Sequence, residues 1–402
     1  MLDFPKIFIT EKGERHARTG HPWVFEGEVV RVDGQPGDGS LVHVFSPKER
    51  WLGTGYYNSR SKIRVRLISS NANDRFDDEF YRRRVRYALD YRRTVMGPDF
   101  PACRLIHGEA DRFPGLTVDL FSDTLVVECL CLGTERVKDA ILSALVEFLP
   151  DYGVTVSTVY ERSDGDLRLK EGMERFKGFW NGMDARADGH TEITENGIRY
   201  DVDFAGGQKT GFFLDQKYNR LAAAKIARGR RVLDCFTHTG AFALNCAKAG
   251  AEHVTAVDIS AQAIEQTRRN AALNGIGMEC VTADVFALLT AMVNEKRRDY
   301  DYILLDPPAF TKSTATVKDA YRGYKDINYR AMRCLPRGGY LATASCSHFM
   351  TRPLFEKMLD EAARDAAVDL VQIESRAAAP DHPFLRCVPE TDYLKFYLFQ
   401  VV

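Results

Sequence analysis

The sequence predicts an α/β protein: a C-terminal doubly wound sheet behind an N-terminal β-barrel module and a small central α+β domain. Three observations predict it. The chain has 402 residues, more than one ordinary core absorbs. Short β-rich runs broken by Gly and Pro fill residues 1–70. From residue 205 onward, strand-like and helical stretches alternate regularly, the pattern of a largely parallel sheet covered on both faces. The boundaries drawn from this are 1–72 for the barrel, 73–102 for a helical linker, 103–200 for the α+β domain and 201–402 for the C-terminal domain.

In order, KIFIT, WVFEGEVVRV, SLVHVFS, WLGTGYY and SKIRVRLIS read as strands, punctuated by Gly34, Pro36, Gly37, Gly39 and Pro47. In KIRVRLI, Lys62, Arg64 and Arg66 alternate with Ile63, Val65 and Leu67, so one face of that strand is basic. Two readings stand for it, an RNA contact and a charged edge that blocks aggregation. Residues 75–96 read as an arginine-rich helix, ended by MGPDFP. A basic helix is more often a solvated face than a binding site, but here it adjoins the basic strand. Residues 103–200 give further strands around the amphipathic helix ERVKDAILSALVEFL. His107, Glu109 and Asp111 read as a surface turn rather than a metal site.

Composition excludes several classes. Hydrophobic residues make up 45% and charged residues 28%, a globular profile. No stretch approaches the roughly 18 uninterrupted apolar residues of a membrane span. The N-terminus has no apolar core of the signal-peptide kind, so a cytoplasmic location is expected. Nine cysteines occur without any CxxC pair, so neither a disulfide framework nor a metal site is expected. Net charge is −1, yet residues 1–100 hold 18 Lys+Arg against 14 Asp+Glu, a net of +4 that leaves −5 for the rest. A nucleic-acid site would be a local patch on the N-terminal part.

The C-terminal strands are RRVLDCF, HVTAVDI, MECVTAD, DYILLDPP, GYLATASCS and YLKFYLFQVV, the last expected antiparallel at one edge. In such sheets ligands sit outside the carboxyl ends of the strands, near the switch point. The first loop, residues 234–244, has one glycine, Gly240, and lacks both GxGxxG and GK[ST]. It is not built for a pyrophosphate, which disfavours a nicotinamide dehydrogenase. A polar loop of this kind, with Asp234 and Phe236 beside Gly240, suits a nucleoside carrying an amino-acid tail. Asp258 ends the second strand, placed for ribose hydroxyls, and Asp284 the third, placed for an adenine amino group. Each alone could be a helix cap; two at successive strand ends favour a nucleoside site. Asp306 opens DPPAF, where Pro307 and Pro308 hold the backbone extended at the pocket rim, against the alternative of a structural turn. Cys346 ends the fifth strand in a polar SCS context, unlike Cys129, Cys131, Cys246 and Cys280, which read as inert small hydrophobes. His348, two residues on, either lowers the thiol pKa or caps the loop.

With GHPWVF (20–25), RLIHGEAD (104–111), ERSD (161–164), KEGME (170–174), GQKTGFFLDQKYNR (207–220), RGYKDIN (322–328) and SCS (345–347) added, the whole chain resembles the large-subunit ribosomal RNA 5-methylcytosine methyltransferase I family. The resemblance implies an N-terminal PUA barrel, a central α+β domain and a C-terminal Rossmann-like class I methyltransferase. It implies S-adenosylmethionine as cofactor and ribosomal RNA as partner; a homodimer is left open. It assigns Lys209, Thr210, Phe212, Asp215 and Arg220 to the cofactor, with Arg220 on its carboxylate and Asp215 on its amino group. A DPP-aromatic step is typical of methyltransferases acting on nucleobases, so Pro307, Pro308 and Phe310 are expected to meet the flipped base. The chain departs from its relatives at His238 and Ala241, where a tyrosine and a second glycine are common; this weakens transfer of the target site, not of the cofactor.

The implied chemistry is covalent catalysis at cytosine, with Cys346 attacking carbon 6 and Asp306 holding the ring edge. Some RNA cytosine methyltransferases carry a second cysteine in the DPP region to help release; DPPAF has none. Rival readings are methylation of a guanine nitrogen, which needs no nucleophile, and a non-catalytic RNA-binding assembly factor, against which Asp258 and Asp284 count.

Overall fold

The β-rich runs at the N-terminus pair into one six-stranded sheet. The computed structural model, which describes residues 3–311 and 313–402, has β1 (Lys6–Ile9), β2 (Trp23–Phe25), β3 (Val29–Asp33), β4 (Leu41–Phe45), β5 (Trp51–Tyr57) and β6 (Ile63–Ser69) in the order β2-β6-β5-β4-β1-β3. Period-2 alternation aims Ile7, Ile9, Val24, Val42, Val44, Val65 and Leu67 into a shared core. The helix Asp78–Met96 follows. The Asp77 carboxylate caps it by accepting from the Phe80 N–H at 3.1 Å, and Gly97 ends it with φ +53°. Phe80, Tyr81, Val85, Ala88, Leu89, Arg92 and Met96 recur at helical spacing on its buried face.

A second sheet, in the order β11-β10-β9-β8-β7, comprises β7 (Ala102–His107), β8 (Leu116–Phe121), β9 (Thr124–Cys129), β10 (Thr158–Ser163) and β11 (Phe176–Asp184). The hairpin β12 (His190–Glu195) and β13 (Ile198–Asp203) comes next.

The chain divides into two units. One holds residues 1–193, 202–212 and 380–389, the other 194–201, 213–379 and 390–402. The stretch 201–402, expected as one domain, therefore does not stay together. Polar anchors explain the return of residues 380–389: the Asp381 carboxylate accepts the Arg104 N–H at 2.8 Å, and its carbonyl accepts from Arg92 at 3.1 Å.

The second unit is built on β14 (Arg231–Cys235), β15 (His253–Asp258), β16 (Glu279–Thr282), β17 (Tyr302–Leu305), β18 (Tyr340–Ser345), β19 (Leu370–Arg376) and β20 (Lys395–Val401), ordered β16-β15-β14-β17-β18-β20-β19. Chain order reverses between β14 and β17, which makes their carboxyl ends the switch point. Side chains alternate between two cores. Leu233, Ile303, Leu305, Leu341 and Tyr397 enter one; Val232, Tyr302, Leu304, Ala342 and Phe396 enter the other. β20 is antiparallel to both neighbours, but it lies inside the sheet. The edge belongs to β19, a strand not expected from the sequence, most of whose residues are exposed. Among the described residues no helix is long and apolar enough to cross a membrane.

Candidate active site

The loop after β14 is shaped by three residues in the left-handed region of backbone space. Phe236, His238 and Gly240 have φ of +62°, +52° and +82°. A Cβ on Gly240 would also lie 2.7 Å from the Thr267 side chain, so only glycine fits there. Asp234 anchors the loop from below. Its Oδ2 accepts from Thr237 Oγ1 at 2.6 Å and from the Ala243 N–H at 3.0 Å. Its Oδ1 is buried and has no hydrogen-bond partner among the described residues. Burial raises the Asp234 carboxyl to about 7, opposed by the Thr237 and Ala243 bonds and reinforced by the nearby Asp306 and Asp258 charges. Phe236 packs against the core.

Asp258, at the end of β15, accepts the His238 N–H at 3.0 Å on one oxygen and the Ser260 N–H at 2.9 Å on the other. It thus ties the β14 loop to its own strand end. Asp284 is an exposed helix cap that accepts the Ala287 N–H at 2.8 Å, the structural role weighed for it from sequence.

At the end of β17, Asp306 accepts from Gln216 Nε2 at 3.0 Å. Gln216 in turn accepts from Asn219 at 2.6 Å, and Asn219 accepts from Arg376 Nε at 3.1 Å. This chain of amides reaches Asp306 from the edge strand. Pro307 is buried and Pro308 exposed. The Phe310 ring lies 4.5 Å from Tyr324 and 5.9 Å from Phe286, so it packs inward instead of standing free to stack on a base. Asp215 accepts from Tyr393 at 2.6 Å. Arg220, expected on a ligand carboxylate, is buried and donates to Glu195 and to the Phe213 carbonyl, both at 2.6 Å. Its charge is neutralised internally, and that assignment is corrected.

Cys346 follows β18 and is partly exposed, between the buried Ser345 and Ser347. Ser345 donates to the Tyr324 hydroxyl at 3.1 Å and Ser347 to the Thr311 carbonyl at 3.1 Å, which fixes the backbone on both sides. Lys395 lies opposite Ser345 across the β18–β20 pair, and its ammonium donates to the Ser347 carbonyl at 2.6 Å. Burial lowers the Lys395 ammonium to about 8, while Asp392 and Cys346 favour its charge. His348 is exposed. Lys395, not His348, is the cation held against the cysteine's backbone.

The remaining candidates lie in the first unit. Lys209 is exposed, Phe212 is buried, and Thr210 donates to Asp119 at 2.6 Å. The basic face expected on β6 is not offered to solvent. Arg66 bridges Glu109 and Glu171, both at 3.1 Å, and Arg64 pairs with Glu26 at 2.6 Å. Lys62 alone is exposed, and it precedes the strand. Glu109 also accepts from the Trp23 indole at 2.9 Å, and Asp111 pairs with the buried Arg92, so GEAD is an internal hub and not a surface turn.

Sequence reasoning missed Gln216, Asn219, Tyr393 and Lys395. One signal was present for Lys395: a single lysine heading an otherwise apolar strand. Among the described residues, no group of three His, Cys, Asp or Glu side chains could hold a metal ion.

Comparison with known proteins sets this geometry in a family. Residues 7–70 match a PUA-like domain, and residues 104–400 match the S-adenosylmethionine-dependent methyltransferase family. Proteins named ribosomal RNA large subunit methyltransferase I are similar along nearly the whole chain. The one from Klebsiella pneumoniae is 38% identical, covering 99% of each chain, and the one from Photobacterium profundum 39%, covering 97% of each. A methyltransferase structure from Streptococcus mutans superposes with a TM-score of 0.82 at 22% identity, covering 99% of this chain and 100% of that one. Another, solved with S-adenosylhomocysteine, gives 0.83 at 22% identity with the same coverage. These two share the fold.

Proposed function

The chain belongs to the S-adenosylmethionine-dependent methyltransferase family, and on that premise we propose that it forms 5-methylcytosine in large-subunit ribosomal RNA with Cys346 as its nucleophile. The reading rests on one observation above the others. Cys346 is a partly exposed thiol at the carboxyl end of β18, the strand beside the one that ends in Asp306, with its backbone held by Lys395.

The cofactor is S-adenosylmethionine. The residues fit it: the buried Asp234 Oδ1 lacks a partner among the described residues, and Gly240 keeps the loop open where a side chain would clash. Asp258 and Asp284 would hold the nucleoside part, and Asp234 with the loop from Phe236 to Gly240 the amino-acid tail; Asp215 would add a second carboxylate. When bound, the cofactor supplies an electrophilic methyl group. Lys209, Thr210 and Phe212 remain cofactor candidates, and Pro307 and Pro308 candidates for the base.

Carbon 5 of cytosine is a poor nucleophile. The Cys346 thiolate adds to carbon 6, and the ring's electron pair moves to carbon 5, which then acts as an enamine. Asp306 holds the edge formed by N3 and the exocyclic amino group as that charge develops. After methylation, loss of the carbon 5 proton re-forms the double bond and expels Cys346 as thiolate. Lys395 keeps a positive charge near the sulfur, which favours the thiolate at both ends of the cycle.

RNA carrying 5-fluorocytidine has no proton to lose at carbon 5 and should trap a covalent adduct. Wild-type enzyme is expected to form it and Cys346→Ala to form none. An adduct in Cys346→Ala removes the assignment; full activity in that variant would instead select methylation of a ring nitrogen.

A further inference from the structure

Two adjoining cavities open on the first unit, of about 560 and 440 Å³. Arg83, Arg84 and Tyr87 line one, Arg18, Arg50 and Trp51 the other, and Arg112 lines both. They therefore form one groove with five guanidinium groups along it.

The carboxylates nearby are mostly engaged. Asp74 pairs with Arg83 at 3.1 Å, Asp111 with Arg92, and Glu14 with Arg18 at 2.8 Å. Arg50, Arg84 and Arg112 form no ion pair among the described residues. Arg84 is half-buried over the Phe80 ring, 4.2 Å from its centroid, and donates to the Arg112 carbonyl at 3.3 Å. A half-buried guanidinium without a carboxylate is costly unless an anion completes it. Burial lowers the Arg84 guanidinium to about 10, opposed by the Asp74 carboxylate and reinforced by Arg112. Tyr87, 62% exposed, offers a flat face beside these cations.

We propose that Arg50, Arg84 and Arg112 grip consecutive phosphates of the RNA backbone in this groove, with Tyr87 and Trp51 as stacking surfaces. The chemistry matches a polyanion read by charge and ring stacking and not by base edges. It moves the RNA contact from β6, whose arginines are neutralised internally, to the helix Asp78–Met96 and the loops facing it. The inference rests on the reading that RNA is the substrate.

The test is filter binding of full-length protein to deproteinised large-subunit ribosomal RNA, and to ribosomal particles, between 50 and 200 mM KCl. Each phosphate contact to a single strand contributes about 0.7 to the slope of log affinity against log salt. Arg84→Gln/Arg112→Gln is expected to flatten that slope by about 1.4 and Arg50→Gln by about 0.7. Affinity for S-adenosylmethionine should stay unchanged. Arg50 is exposed, so Arg50→Gln and Arg50→Glu remain informative if the double variant does not fold. An unchanged slope and affinity in both Arg50 variants overturns the proposal. So does a loss confined to particles with naked RNA unaffected, which would assign the groove to an acidic protein surface. Failure of the Cys346 assignment leaves this readout intact, because binding needs no adduct.

Discussion

Lys395 donates to the Ser347 carbonyl at 2.6 Å while standing opposite Ser345 across the β18–β20 pair. The lysine thus brackets Cys346 from both sides in sequence. Antiparallel insertion of β20 between β18 and β19 is what brings it there. A parallel strand added at the edge would leave the end of β18 without this partner.

Removing that cation should make the thiol a weaker acid. Lys395→Met keeps the side-chain volume and loses the charge. Alkylation of Cys346 by iodoacetamide at pH 7 is therefore expected to slow severalfold, because the thiolate loses a nearby positive charge. Peptide mass spectrometry separates Cys346 from the buried cysteines. An unaltered alkylation rate would show that the lysine only fastens the backbone.

Gln216 is expected to act as a positioning residue for Asp306. It holds Oδ1 at 3.0 Å and is itself held by Asn219. Gln216→Ala should lower kcat about tenfold, the worth of one hydrogen bond to a charged group. Calorimetric affinity for S-adenosylmethionine should be preserved. A variant that loses cofactor affinity and keeps kcat would place Gln216 in cofactor binding instead.

The sheet and its strand-end acids were legible because parallel strands are continuous apolar runs that stop at polar loops. Asp234, Asp258, Asp306 and Cys346 sit where that pattern puts them, at the ends of β14, β15, β17 and β18 or just after them. What stayed hidden depends on long-range partners. Arg66 alternates correctly along β6, but only the fold shows that Glu109 and Glu171 lie against it. Arg220 has Glu195 as its partner, 25 residues away in sequence. The edge strand β19 was missed although Val371 and Ile373 alternate along it, because the run is short and its apolar side chains face solvent instead of a core.

Arg66→Met tests whether β6 is structural. The guanidinium is 13% exposed and serves two carboxylates. Its removal leaves both partly buried and uncompensated, at a cost of about 3 kcal/mol in urea unfolding. The salt dependence of RNA binding should not change. A destabilisation under about 0.5 kcal/mol, the usual range of a surface substitution, would contradict the internal role.

Asp234 carries the clearest pH dependence. Its folded carboxyl lies at about 7, against 3.8 ordinarily, because burial disfavours the charge. Stability contributed by such a raised group is fully present below pH 3.8 and is lost as pH rises through about 7. The shift of about three units corresponds to about 4 kcal/mol. Asp234→Asn cannot ionise and still offers one oxygen to Thr237 and the Ala243 N–H. Its melting temperature relative to wild type should therefore climb between pH 5 and 8. The same ionisation is expected to favour the positively charged cofactor, so wild-type affinity for S-adenosylmethionine should increase from pH 6 to 8 while that of Asp234→Asn stays flat. Parallel melting and binding profiles for the two proteins would mean that Asp234 does not change its charge in this range, and that the unpartnered oxygen serves the loop alone.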